Sequence, residues 1–169
     1  ENQITKGSSK RKKLRWFALS YLGFFIWNLG TTWWIVKSSV FGMTFAILCN
    51  TSFYAILMML FHWSKKRLPL RTAYIFLISL WIAFEKFHLM WDFSWPWLNL
   101  GNVFSEEIQW IQWYEFTGSF GGTLWVLLIN IGLFEVFKNH PPSLKNTLWV
   151  KKMSHWLIGI AIPILISLF

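Results

Sequence analysis

The sequence predicts an all-α fold, a polytopic transmembrane helix bundle, from three observations. Of its 169 residues, 55% are hydrophobic and only 14% are charged, against about 25% charged in soluble domains. The apolar residues gather into five runs, each near the length a helix needs to cross roughly 30 Å of hydrocarbon. The basic residues cluster in alternate intervals between those runs, the pattern of a multi-pass protein that keeps its positive charge on one side. A soluble core would not need five consecutive runs of this length with no soluble domain between them.

The first stretch, residues 1–15, reads "ENQITKGSSKRKKLR" and is expected to be a basic cytoplasmic loop. It has no initiator Met and is too charged, over too many residues, for a signal peptide. The transmembrane domain is then expected over residues 16–169, with spans at about 17–36, 41–63, 73–91, 118–137 and 153–169. In lipid every backbone amide needs an internal partner, so runs this long are helices despite their β-branched residues. Trp33 and Trp34 near the end of the first run, and Trp63 at the end of the second, suit an aromatic belt at the interfaces. The last run stops on "IPILISLF" with no polar flank, and both ends are expected to be those of a fragment.

A formal charge of +9, from 16 Lys and Arg against 7 Asp and Glu, would fit a nucleic-acid binder by its total. The placement excludes that and points to membrane lipids, with no nucleic acid as a partner. Lys6, Lys10, Arg11, Lys12, Lys13 and Arg15 precede the first span. Lys65, Lys66, Arg67 and Arg71 lie between the second and third. Lys138, Lys145, Lys151 and Lys152 lie between the fourth and fifth. These stretches share one side, and anionic lipid is the natural contact for them. The other side holds Lys37 with Asp92, Glu106, Glu107 and Glu115. The N-terminal stretch is therefore expected in the cytoplasm, with the loop 92–117 and the C-terminal end outside.

Chemistry-bearing residues are sparse. Cys49 is the one cysteine and sits mid-span, where a thiolate is disfavoured, so it is expected to be a packing thiol. Glu85 and His88 form a Glu-x-x-His pair, and Asp92 follows at i+7, so all three are expected on one face of the third helix. A di-metal bundle site needs two such pairs plus further carboxylates; one pair argues against a metal, and no cofactor is expected. Ionisable groups such as Glu85 and Lys86 within a span usually face the bundle interior, pair, or touch a polar substrate.

The segment that follows is unusual. "DFSWPWLNLGN" and the residues after it place four tryptophans, Trp95, Trp97, Trp110 and Trp113, in a loop of about 26 residues that does not span. Pro96 keeps Trp95 out of the α region, and Gly101 permits a turn. Ser105 followed by Glu106 and Glu107 predicts a short interfacial helix, because Ser is a favourable N-cap and acids suit a first turn. The fourth span opens on "TGSFGG", whose Gly118, Gly121 and Gly122 would let a neighbouring helix or lipid chain approach the backbone. No phosphate loop, nucleophile elbow or Ser/His/Asp order is present.

Several stretches in order resemble the apolipoprotein N-acyltransferases, which complete bacterial lipoproteins. "WNLGTTWWI" at Trp27 to Ile35 looks like that family's third membrane helix. "AFEKFHLMWDFSWPWLNLGN" is similar to its fifth helix and following loop, and "WYEFTGSFGGTLWVLLIN" to its sixth. Where many members carry Arg three residues after the Glu, this chain has His88. The resemblance implies a bacterial inner-membrane protein whose eight-helix domain carries a nitrilase-like domain with a Glu, Lys and Cys triad. That triad moves an acyl chain from a phospholipid donor to the N-terminal diacylglyceryl-cysteine of a lipoprotein acceptor through a thioester.

The five runs here match helices three to seven, and no catalytic triad residue is expected in this chain, which is therefore expected to be inactive alone. Glu85, His88, Trp95, Pro96, Trp97, Asn99, Gly101, Trp113, Tyr114, Gly118 and Gly121 are the candidates for shaping lipid or substrate access. A non-catalytic membrane scaffold or lipid-binding protein with the same architecture is the alternative.

Overall fold

The computed structural model describes residues 2–139 and 147–168, with side chains over 11–138 and 149–168. Lys145 and His140, at or beside the third basic stretch, lie outside the described residues, as does Phe169, the expected end of the last span. Five α-helices carry the fold: α1 (Asn2–Thr32), α2 (Val40–Ser64), α3 (Leu70–Met90), α4 (Tyr114–Asn139) and α5 (Thr147–Leu168). Short 3₁₀ turns supply the rest, at Trp33–Lys37, Pro96–Leu98, Leu100–Phe104 and Ile108–Trp110, and no strand occurs among the described residues. The all-helical expectation therefore holds.

The five helices differ in apolarity. Four helices, α2 to α5, are long and apolar enough to cross a membrane, and α1 is not among them. Its apolar half is diluted by Asn28, Thr31 and Thr32, which hydropathy scores as polar. Asn28 and Thr32 are nonetheless fully buried, and their donors are met within the helix itself: Asn28 Nδ2 donates to Phe24 O at 2.8 Å and Thr32 Oγ1 to Asn28 O at 2.6 Å. The helix also runs back through the basic stretch to Asn2.

The chain divides into two compact units, residues 1–80 and 81–169. In the first, α1 packs along α2. Tyr54, fully buried, lies 5.2 Å from the rings of both Phe24 and Trp27, stacked on one and edge-on to the other; such pairs add about 0.5–1.5 kcal/mol beyond area burial. Ser39 caps α2 by accepting from Gly42 N at 3.0 Å, filling one of the four orphan donors of a helix start.

In the second unit, α4 and α5 pack together and the connecting segment 91–113 folds onto them. Gly132 makes room for the Trp156 ring, and Trp125 Nε1 donates to Gly159 O at 3.2 Å. α4 is broken near its start by Gly118, at φ 65°, ψ −176°, a combination essentially reserved for glycine.

Candidate functional site: a loop braced by a buried carboxylate

Helix α3 ends at Met90, and the chain at once turns back on it: Trp95 N donates to His88 O at 3.0 Å. The next residues run over the inner face of the helix end. There Glu85, 1% exposed, accepts three hydrogen bonds. Trp81 Nε1, one helical turn earlier on the same face, donates to its Oε1 at 3.1 Å, and Leu100 N donates to that oxygen at 2.8 Å. Thr123 Oγ1, from α4, donates to Oε2 at 2.6 Å and itself accepts from Gly101 N at 3.0 Å. Two consecutive loop amides are thus held by one carboxylate, the second through a threonine relay. Hydrogen bonds to a carboxylate contribute about 1.5–3 kcal/mol each, and a buried donor left without its acceptor is costly.

Steric fit closes the same junction. A Cβ on Gly101 would collide with the backbone carbonyl of Ser119, so the loop touches α4 backbone to backbone. Gly101 has no left-handed conformation; what it supplies is the missing side chain, not the turn that its position in the sequence suggests. Tyr114 Oη donates to Gly101 O at 2.9 Å, and a Cβ on Gly122 would strike that hydroxyl. The far end of the loop is tied to α5, where Ser167 Oγ donates to Trp110 O at 2.9 Å.

The sequence candidates divide accordingly. Glu85, His88, Asn99 and Gly101 are buried; Trp95, Pro96, Trp113, Tyr114 and Gly121 are half-buried; Trp97 and Gly118 are exposed. Glu85, Gly101 and Tyr114 meet in one hydrogen-bonded cluster. His88 lies between the Phe84 and Trp91 rings, at 4.7 and 5.5 Å. Asp92 does not share their face: it lies beyond the helix end and is exposed. The space beside Gly121 and Gly122 is taken by the side chains of Thr117 and Tyr114 of α4 and of Trp113 just before it.

The helix expected from Ser105 does not form. The segment makes single 3₁₀ turns, and Ser105 closes one of them, its N–H donating to Asn102 O at 3.1 Å. Anchored by Glu85 at one end and Ser167 at the other, the strap follows its tie points rather than helical periodicity. Trp81, Thr123 and Ser167 join the site without a motif in the sequence to mark them. The only mark they carry there is polarity inside an apolar run.

Beside the brace lies an apolar cleft of about 320 Å³, walled by Phe104, Trp110, Trp125, Ile129, Ile160 and Ile164. Both Glu85 oxygens are engaged by neutral donors, so the carboxylate acts here as an acceptor that positions the loop.

A family model described as the apolipoprotein N-acyltransferase N-terminal domain matches residues 4–132. The chain belongs to that family. Among the family's curated proteins, the apolipoprotein N-acyltransferase of Chlorobaculum tepidum is 26% identical over 121 residues, 72% of this chain and 23% of that protein. The chain thus spans under a quarter of the length of this acyltransferase relative. No solved structure matches it. The matched region contains the whole brace from Trp81 to Thr123, so the geometry above describes part of an apolipoprotein N-acyltransferase N-terminal domain.

Proposed function

We propose that this chain is membrane-domain sequence of an apolipoprotein N-acyltransferase of the bacterial inner membrane, which moves an acyl chain from phospholipid to the N-terminal diacylglyceryl-cysteine of lipoproteins. Its part is to hold the catalytic domain at the outer leaflet and to shape the route of lipid to it. Acyl transfer at a membrane surface needs a rigid edge where chain and headgroup part company. The observation that carries this reading is the capture of the Leu100 and Gly101 amides by Glu85 and Thr123.

That capture presents the apolar side chains of Phe93, Trp97, Val103 and Ile108 outward, each at least 60% exposed, as an interfacial surface would. The apolar cleft beside it is sized for part of an acyl chain. Basic residues before the first span and around the α2–α3 and α4–α5 intervals support a loop outside and an N-terminal stretch in the cytoplasm.

The test is made in the full-length protein with labelled acyl donor. Trp97→Ala and Pro96→Ala should lower lipoprotein acylation several-fold while membrane levels of the protein stay near wild type. Parallel loss of both would reduce the loop to a folding element.

A further inference from the structure

Residues 2–80 contain 11 Lys and Arg and no Asp or Glu. Four of the 11 follow α2 or open α3, and the end of α2 there borders an open cleft of about 970 Å³ in the first unit. Its floor is apolar, from Phe17 of α1 and Ile56, Met59 and Leu60 of α2, and its rim carries Lys13, Lys66 and Arg67. The two chemistries are segregated as they are in an amphiphile. We propose that this cleft is a binding site for one anionic phospholipid, phosphate at the rim and the start of an acyl chain on the floor.

The rim is built for a phosphate in a specific way. The Arg67 guanidinium lies 4.3 Å over the ring of Trp63, which also lines the cleft. Stacking occupies the face of a guanidinium and leaves its in-plane N–H fork free for a bidentate oxyanion. The stack also holds Arg67 in place, so less rotamer freedom is lost on binding. Trp16 packs on His62 at 5.0 Å beside the same cleft, so aromatic rings back the headgroup level. With no acid in the unit after Glu1, nothing there competes with a lipid phosphate for these cations. A zwitterionic lipid offers its own ammonium to the same phosphate and gains less from three cations. The site is distinct from the Glu85 brace and does not depend on the acyltransferase reading.

The experiment is native mass spectrometry of the full chain released from micelles containing equimolar phosphatidylglycerol and phosphatidylcholine. Wild type should retain phosphatidylglycerol preferentially, as a one-to-one adduct. Lys13→Gln, Lys66→Gln and Arg67→Gln together should abolish the preference, at about fivefold for each cation removed. Arg11→Gln, Lys12→Gln and Arg71→Gln remove the same charge from the same unit away from the cleft and should leave it intact. Equal retention of the two lipids, or equal loss in both triple variants, overturns the proposal. So does displacement of the adduct by inorganic phosphate, which would make the rim an anion site and not a lipid site. If the cleft variant does not give monodisperse helical protein, Lys66→Gln against Lys66→Arg decides, with the preference falling about fivefold in the first and persisting in the second.

Discussion

The amide of Leu100 donates a 2.8 Å hydrogen bond to the side chain of Glu85, 15 residues earlier in the chain. The carboxylate sits inside a membrane-length helix yet serves the segment that leaves it. Burial makes the contact matter: in a low-dielectric interior an acceptor with three donors is stabilising, and the same donors without it are a liability.

Replacing Glu85 by Ala removes the acceptor from Trp81, Leu100 and Thr123 at once. The expected loss is about 3–5 kcal/mol, toward the upper end for single substitutions. Glu85→Gln retains one carbonyl oxygen and should lose less. Hydrogen exchange at the Leu100 and Gly101 amides should accelerate in both variants more than exchange in the centre of α4; a uniform rise along the chain would mean the loop is not specifically held.

Thr123→Val keeps shape and removes the relay. It should cost about 1–2 kcal/mol alone, and far less in a Glu85→Ala background, because the two side chains act on one hydrogen-bond network. Additive effects in a double-mutant cycle of detergent unfolding would disconnect them.

Gly101→Ala forces a methyl against the Ser119 carbonyl. Backbone on both sides leaves little room to yield, so about 1–3 kcal/mol is expected, with loss of the Tyr114 bond to Gly101 O. Near-UV circular dichroism of the crowded Trp113, Tyr114 and Trp125 rings, 4.7 and 5.9 Å apart from Trp113, reports that loss. An unchanged aromatic signal would contradict it.

Gly118→Ala separates conformation from space. Nothing lies within 4 Å of a Cβ there, so the whole cost comes from the positive φ, about 1–3 kcal/mol. Gly23→Ala, also with open space around it but in a continuous helix, should be neutral or stabilising. Thermal unfolding of the two variants in the same detergent makes the comparison; equal midpoints would mean that the break at Gly118 is dispensable.

Composition and run length were enough to read an all-helical membrane chain, because lipid leaves the backbone few alternatives. In α1 hydropathy counts Asn28 and Thr32 as polar, although Asn28 Nδ2 and Thr32 Oγ1 both donate to carbonyls of their own helix. Glu85, Gly101 and Tyr114 stood out in the sequence as a charge in a span, a glycine and an aromatic in a loop. Thr123, which bonds Glu85, and Ser167, which bonds Trp110, do not, because a hydroxyl inside an apolar run has no local signature of what it will meet 38 or 57 residues away.

The sequence by itself determined that the W-P-W segment leaves the span, through Pro96, the polar residues after it and the lack of a long apolar run. Only the tertiary structure decided that it returns to the helix it left. That outcome rests on long-range hydrogen bonds to buried side chains, and local propensity overrides such bonds only where the backbone has no better acceptor. The same distinction removes the helix expected from Ser105: its capping residues are suitable, but Glu85 and Ser167 set the path of the strap between them.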